Sequence, residues 1–166
     1  MRIILKKYIY GILGFVVLVV LDQLSKFAAV TNLKGNDGIS LIDGVFRLMY
    51  LENYGAAFGM LKNKRVFLVI VTVIILALVL FGFSRIPATK RFLPLQMVLV
   101  GIAAGAVGNM IDRIVNGYVT DFLYFELINF PVFNVADCYV VIAAVAAMFL
   151  IIFYYKDEDF EAIKKK

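Results

Sequence analysis

Four long apolar runs dominate this 166-residue chain and set the strongest limit on its fold. They occupy residues 8–30, 66–83, 92–111 and 135–155, and each is close to the roughly 20 residues that an α-helix needs to cross a bilayer. Backbone polar groups find no water in hydrocarbon, so helices that satisfy those groups internally are the expected structure. With 63% hydrophobic residues and a mean hydropathy of +0.93, the chain is predicted to be an integral membrane protein.

The runs leave little chain for a separate soluble domain, so we predict one all-α membrane domain over residues 1–166 with four transmembrane helices. The first run follows a basic N-terminus and resembles a cleaved secretory signal. It continues, however, through the polar residues Asp22, Gln23 and Lys26. We therefore interpret it as a retained span.

Two longer connections, residues 31–65 and 114–134, are expected on the outer side of the membrane. The first alternates polar and apolar residues between glycines, which predicts short strands in a small β-rich cradle at the membrane surface. The second contains Pro131 before the last helix and is interpreted as a loop that covers the outer ends of the spans. Residues 156–166 mix acidic and basic side chains and are predicted to form a solvated tail.

The positions of the basic residues predict the orientation of the chain. Ten of the 17 lysines and arginines lie near the N-terminus, in the connection 85–91 and in residues 156–166, which share one side of a four-span topology. Short cytoplasmic segments are enriched in lysine and arginine, so both termini are expected in the cytoplasm. A basic cluster at residues 62–65 opposes this assignment. Clustering at helix ends also explains the net charge of +5 without a nucleic-acid partner.

The chain has one cysteine, Cys138, and no histidine. An internal disulfide, a Cys/His zinc site and a histidine-activated nucleophile are therefore excluded. We expect no metal and no other cofactor, and any hydrolytic chemistry has to use carboxylates, hydroxyls or lysine. Cys138 follows Asp137 on a predicted helix and points about 100° away from it. We interpret it as an inert buried thiol, because no base is available to activate it.

Threading four spans from a cytoplasmic N-terminus brings polar residues from distant parts of the chain to the outer boundary of the membrane. Structural polar residues would not be expected to gather at one depth. The set consists of four aspartates, three asparagines and two cations: Asp22, Asp112, Asp121, Asp137, Asn53, Asn109, Asn134, Lys26 and Arg113.

Part of this set has a structural interpretation. Asp22 with Lys26, one helical turn later, and Asp112 with Arg113 are interpreted as ion pairs at helix ends. The amides of Asn109 and Asn134 either join helices by hydrogen bonds or orient an active site, and the sequence leaves both roles open. Glycines 101, 105 and 108 indicate close helix packing.

Asp121 and Asp137 have no cation nearby in the sequence to neutralise them. Ionisable residues within a membrane are expensive and usually functional. If the two carboxylates approach each other, desolvation and repulsion keep one of them protonated near neutral pH. One can then take a proton from water while the other donates a proton to a scissile carbonyl oxygen, as in aspartic hydrolases.

Five sequence blocks, in order, resemble the motifs of the bacterial lipoprotein signal peptidase (signal peptidase II) family. The resemblance extends from the first span to the start of the fourth, and the chain length and four-span plan agree with it. The blocks are DQLSK at 22–26, NYGAAFG at 53–59, GNMIDR at 108–113, GYVTDF at 117–122 and FNVAD at 133–137.

The resemblance implies an aspartic endopeptidase of the bacterial inner (plasma) membrane with its active site at the outer face. It would remove the signal peptide of prolipoproteins by cutting before a diacylglyceryl-modified cysteine. Prolipoproteins and membrane lipids are the implied partners, and a monomer is expected. The implied roles are catalysis for Asp121 and Asp137, substrate binding or site ordering for Asn53, Asn109, Arg113 and Asn134, and support for Asp22, Lys26, Gly108, Asp112 and Ala136.

Two other classes of protein share some of these features. A small proton- or cation-coupled transporter with four spans also contains membrane carboxylates, but it needs them near the midplane rather than at one edge. A non-catalytic subunit of a membrane assembly would leave the pairing of Asp121 with Asp137 unexplained.

Overall fold

The computed structural model of the protein describes residues 2–55, 61 and 64–165, and it has four long helices, a three-stranded sheet and a short final helix. Each of the four long helices is long and apolar enough to cross a membrane, which confirms the predicted four-span plan. A π-helical turn, Leu150–Tyr154, extends α4. The elements in chain order are α1 (Arg2–Leu33), β1 (Ile39–Ile42), β2 (Phe46–Asn53), α2 (Arg65–Arg85), α3 (Leu93–Val115), β3 (Val119–Phe125), α4 (Val135–Phe149) and α5 (Asp157–Lys164).

Helix α3 is the central helix and packs against α1, α2 and α4. Its glycines make this close packing possible, as predicted. A Cβ atom added at Gly105 would lie 2.5 Å from the carbonyl oxygen of Ala136 in α4, and one added at Gly108 would overlap the carboxylate of Asp22 in α1. The small residues of α3 therefore bring a buried acid of α1 and the first turn of α4 to the same place.

Helix α1 is longer than the sequence predicts. We predicted a span over residues 8–30, but the helix begins at Arg2 and continues to Leu33, seven residues past Lys26 and roughly 10 Å further along the axis. This extension is stable because Ala29 and Leu33 are buried against Phe122 of β3. Asp22 and Lys26 thus lie inside the helix, at the level where the sheet meets the bundle.

The sheet has the order β1-β2-β3 with antiparallel neighbours. Strands within residues 31–65 were predicted and are confirmed. The segment 114–134 was interpreted as a loop, but its residues Val119–Phe125 form the strand β3. Pairing with β2 gives the backbone of this segment regular hydrogen bonds, so the two outer connections are joined in one sheet.

A β-bulge in β2 determines which side chains lie opposite β3. Up to the pair Leu48–Leu123 the register is regular, and after it one extra residue in β2 places Leu51 opposite Asp121 and Asn53 opposite Val119. Continuing the first register would have placed Glu52 opposite Val119. The bulge therefore makes the amide of Asn53, and not the carboxylate of Glu52, the diagonal neighbour of Asp121.

At the other end of the bundle, polar contacts hold the segments near both termini. The ammonium group of Lys7 is buried and donates hydrogen bonds to the carbonyl groups of Phe83, near the end of α2, and of Ile86, which directly follows α2. The guanidinium group of Arg91 binds Asp159 of α5 at 2.8 Å. The predicted tail is exposed along most of its length, as expected, but residues 157–164 form a helix, and its Phe160 and Ile163 pack against the bundle.

We expect Gly105→Ala to lower the apparent melting temperature of the protein in detergent, because the new methyl group would meet Ala136 and Val140. Overpacking of this kind costs about 1–3 kcal/mol. Gly82→Ala is the matched control, since its nearest neighbour would be the Leu99 side chain at 3.7 Å. That variant should melt at the same temperature or higher. Equal melting of both variants would contradict the packing described here.

Candidate active site

The predicted polar residues gather where the sheet meets α1, α3 and the start of α4. Asp22, Asn134 and Asp121 are almost fully buried, with exposed fractions of 0%, 0% and 1%. Lys26 and Asp112 are also buried, whereas Asn53, Asn109, Arg113 and Asp137 are half-buried. Buried polar groups have to form hydrogen bonds, because water is excluded from them. The hydrogen bonds of this cluster therefore determine the geometry of the site.

Asn134 is the residue that connects the two candidate catalytic carboxylates. It is the N-cap of α4, and with Asp137 it forms a capping box. The backbone N–H of Asp137 donates to Asn134 Oδ1 at 3.1 Å, and the backbone N–H of Asn134 donates to Asp137 Oδ2 at 3.1 Å. Asn134 Nδ2 donates to Asp121 Oδ1 at 2.6 Å. The start of α4 thus places Asp137 next to the residue that binds Asp121.

Asn109 of α3 binds the second oxygen of Asp137. Its Nδ2 donates to Asp137 Oδ1 at 2.8 Å. Its Oδ1 accepts hydrogen bonds from the ammonium group of Lys26 at 2.8 Å and from Asn134 Nδ2 at 3.1 Å. The sequence left two roles open for Asn109 and Asn134, and the structure supports both, since the two amides join α3 to α4 and also contact the carboxylates.

Asn53, the last residue of β2, binds Asp121 from the other side. Its Nδ2 donates to Asp121 Oδ2 at 2.8 Å, and its Oδ1 accepts from the backbone N–H of Gly55 at 2.9 Å. The carbonyl group of Gly55 accepts a hydrogen bond from the guanidinium group of Arg113 at 2.9 Å. Arg113 therefore holds the turn that orients Asn53.

These contacts fix the orientation of the three asparagine amides. A backbone N–H and an ammonium group can only donate, so the group that each of them contacts has to be the amide oxygen. The backbone N–H of Gly55 identifies the amide oxygen of Asn53, and the backbone N–H of Asp137 identifies that of Asn134. The ammonium group of Lys26 identifies the amide oxygen of Asn109. Each NH2 group is consequently directed at a carboxylate.

A second group of buried charges lies directly behind this site. The ammonium group of Lys26 is 3.0 Å from Asp22 and 3.4 Å from Asp112, and both carboxylates are buried. Asp22 also accepts from the backbone N–H of Ala136, and Asp112 from that of Thr120, each at 2.9 Å. The acids thus bind the first turn of α4 and the start of β3.

This arrangement corrects one predicted ion pair. The expected pair of Asp22 with Lys26 is confirmed, but Asp112 binds Lys26 rather than Arg113. Adjacent residues on a helix point about 100° apart, so Asp112 faces α1 while Arg113 reaches Gly55.

Burial changes the proton affinity of Asp121. It raises the pKa of this carboxyl group to about 6, and the charge of Asp137 acts in the same direction. The hydrogen bonds from Asn53 and Asn134 oppose the change because they stabilise the carboxylate. Asp121 therefore exchanges its proton close to neutral pH.

An open cleft of about 1510 Å³ leads to the two carboxylates. Sheet residues and the segment after β3 form part of its wall, and the exposed side chains of Val141 and Ile142 in α4 form another part. Cys138, predicted to be buried, is half-buried and lines this cleft. The cleft is thus polar at the carboxylates and apolar along α4.

The structure brings together every site residue that was predicted, including Gly108 and Ala136, which lie against Asp22. Residues 56–59 of the second sequence block lie outside the described residues.

Gln23 lies in the first motif block, although no role was assigned to it from the sequence. Its amide donates hydrogen bonds to Asp22, Gly108 and Asp112. Its position between Asp22 and Lys26 in an apolar helix was the signal that could have identified it. The contribution of Gly55 depends on its backbone and leaves no such signal.

Four spans, a sheet at one end, and the carboxylates of Asp121 and Asp137 at a cleft define a multi-pass membrane protein with a candidate hydrolytic site. Residues 14–154 match the family described as signal peptidase (SPase) II. The lipoprotein signal peptidase of Streptococcus thermophilus (strain CNRZ 1066) is 40% identical over 142 residues, which cover 86% of this chain and 90% of that protein. The lipoprotein signal peptidase of Streptococcus pyogenes serotype M5 (strain Manfredo) is 35% identical over 156 residues, covering 94% of this chain and 99% of that protein.

A solved structure has the same architecture. It is a bacterial membrane enzyme determined by the in meso method at 2.3 Å resolution, with a TM-score of 0.78 and 30% sequence identity, and the match covers 89% of this chain and 92% of that one. The chain belongs to the signal peptidase II family and is a peptidase.

We expect Lys26→Met to destabilise the protein strongly, because the carboxylates of Asp22 and Asp112 would remain buried without their cation. Breaking a buried ion pair from one side costs about 3–5 kcal/mol. The control is Lys164→Met, which removes an exposed pair with Glu161 and should have almost no effect. Thermal unfolding in detergent measures both, and similar melting temperatures would contradict a structural role for Lys26.

Proposed function

We propose that this protein removes the signal peptide from lipoprotein precursors by aspartic catalysis, with Asp121 and Asp137 as the catalytic pair. The observation that carries the proposal is the shared contact with Asn134, whose NH2 group binds Asp121 while its oxygen and backbone N–H bind Asp137. Residues 16 positions apart in the sequence are thereby held at one point of the cleft. Membership in a peptidase family supports the reaction class and speaks against the transporter alternative.

In the proposed mechanism, the pair retains one proton when the substrate binds. The ionised carboxylate takes a proton from the attacking water, and the protonated one donates to the oxygen of the scissile carbonyl group. The amides of Asn53, Asn109 and Asn134 stabilise the negative charge of the pair and keep both carboxyl groups in position. The tetrahedral intermediate then collapses with proton transfer to the leaving amine.

The cleft suits the substrate that we propose, a precursor cut before a diacylglyceryl-modified cysteine. Such a substrate has an apolar signal segment and two acyl chains, and it stays in the bilayer up to the cleavage site. The apolar wall formed by Val141 and Ile142 continues the lipid-facing surface of α4 towards the carboxylates. Substrate can then enter from the membrane without exposing its acyl chains to water.

We further propose that the sheet end of the bundle lies at the outer face of the bacterial plasma membrane, with both termini in the cytoplasm. The basic residues near the N-terminus, in the connection between α2 and α3 and after α4 support this orientation. It would place the site on the side where the exported part of a precursor emerges.

Asp121→Asn and Asp137→Asn should each reduce cleavage of a diacylglyceryl-modified substrate at least about a hundredfold, because an amide can neither accept the proton of water nor donate as an acid. The purified protein in detergent is assayed, and its melting temperature confirms folding. Asp43→Asn, which changes an exposed aspartate bound to Ser40, is the control and should retain activity. Substantial turnover by either catalytic variant would refute the pair.

The pH dependence of kcat/KM should be bell-shaped, because activity needs one proton on the pair. Activity falls at low pH when both carboxyl groups are protonated and at high pH when both are ionised. One limb is expected near pH 6, since the pKa of Asp121 is raised to about 6. A profile that stays flat between pH 4 and 8 would contradict catalysis by this pair.

A further inference from the structure

We propose that Glu52 is a positioning residue for Asp121, although it is separated from the carboxylate pair by Asn53 and forms no part of the proposed chemistry. In this proposal, Glu52 holds the turn Asn53–Gly55 and thereby maintains the hydrogen bond from Asn53 to Asp121. The inference rests on the proposed function, because Asp121 is the group that it positions.

Glu52 accepts three hydrogen bonds from different parts of the chain. Its Oε1 accepts from the ammonium group of Lys34 and the hydroxyl group of Tyr50, both at 3.0 Å. Its Oε2 accepts from the hydroxyl group of Tyr54 at 2.8 Å. Lys34 directly follows α1, Tyr50 lies in β2, and Tyr54 directly follows β2. We call these four residues the Glu52 cluster, and it ties the end of α1 to the end of β2.

The cluster continues into a second tyrosine contact. The hydroxyl groups of Tyr50 and Tyr118 are 3.2 Å apart, and the rings of Tyr54 and Tyr118 have centroids 5.5 Å apart. Tyr118 directly precedes β3. The Glu52 cluster thus also contacts the chain just before the strand that contains Asp121.

The path from the cluster to Asp121 follows consecutive residues. Tyr54 lies between Asn53 and Gly55, and the backbone N–H of Gly55 fixes the amide of Asn53 so that its Nδ2 is directed at Asp121. Arg113 holds the Gly55 carbonyl from the α3 side. Glu52 holds Tyr54 from the α1 side. Loss of the Glu52 contact would remove the hydrogen bond that holds this turn from the α1 side.

The hydroxyl groups, rather than the ion pair, give the cluster its positioning effect. Lys34 and Glu52 are exposed by 52% and 28% of their side chains, and ion pairs with this exposure contribute little. The hydrogen bonds from Tyr54, Lys34 and Tyr50 lower the pKa of Glu52 to about 2. Glu52 stays ionised in an assay between pH 4 and 8, so a change in the pH profile in that range reports on the carboxylate pair.

The test compares Glu52→Gln with Glu161→Gln, which breaks an exposed contact with Lys164 at the opposite end of the molecule. For Glu52→Gln we expect kcat/KM to fall about fivefold, the equivalent of one net hydrogen bond. The limb of the profile that belongs to Asp121 should move up by about half a pH unit, because the hydrogen bond from Asn53 lowers the pKa of Asp121. Glu161→Gln should change neither quantity.

A second measurement does not depend on turnover. The carboxyl band of Asp121 in infrared spectra, assigned by its loss in Asp121→Asn, is titrated in the substrate-free protein. Its midpoint should rise in Glu52→Gln and equally in Tyr54→Phe, and the double variant should give no further change. Asp137, Lys26 and Arg113, the charged groups that act on Asp121, are the same in all these proteins.

An unchanged midpoint in Glu52→Gln overturns the proposal, also when that variant melts at a lower temperature, because a merely structural role would affect stability alone. Full activity of Asp121→Asn would overturn the proposed function instead. The two failures are distinguishable because the infrared titration measures the position of Asp121 and not the reaction.

Discussion

A backbone N–H or an ammonium group can donate a hydrogen bond but cannot accept one, and the geometry of the carboxylate pair depends on this asymmetry. Such donors bind the oxygens of Asn53, Asn109 and Asn134, so every NH2 group of the three amides is directed at Asp121 or Asp137. An amide that rotated by half a turn would face its neighbour with like groups and would remove one of the two donors of Asp121 or Asp137. The interior of the site is therefore fixed before substrate binds, which is the arrangement that catalysis by positioned charges requires.

The fold supplies each of these donors from a different element. Lys26 is available because α1 continues past it to Leu33, and α1 can approach because α3 has glycine at position 108. Asp137 is available because Asn134 begins α4 with a capping box. Gly55 is available because a bulge in β2 brings Asn53, rather than Glu52, towards Asp121. Helix packing, helix capping and strand register thus converge on one pair of side chains.

Much of this arrangement could be predicted from the sequence, and the errors have physical causes. The four spans follow from apolar length, and the carboxylates, the amides and Lys26 follow from motif blocks whose order matches the signal peptidase II family. The end of α1 was placed at residue 30, three residues too early, because the contact of Ala29 and Leu33 with Phe122 is between distant segments. The strand β3 was missed because its pairing with β2 is not local. Asp112 was paired with its neighbour Arg113, although a helix directs adjacent side chains apart.

The central claim is that Asp121 and Asp137 act on one water molecule. A crystal structure of the substrate-free protein at a resolution that defines ordered water tests this most directly. We predict a single water molecule within hydrogen-bonding distance, about 2.6–3.2 Å, of one oxygen of each carboxylate. Carboxylates that bind separate water molecules, or that are too far apart to share one, would contradict the account.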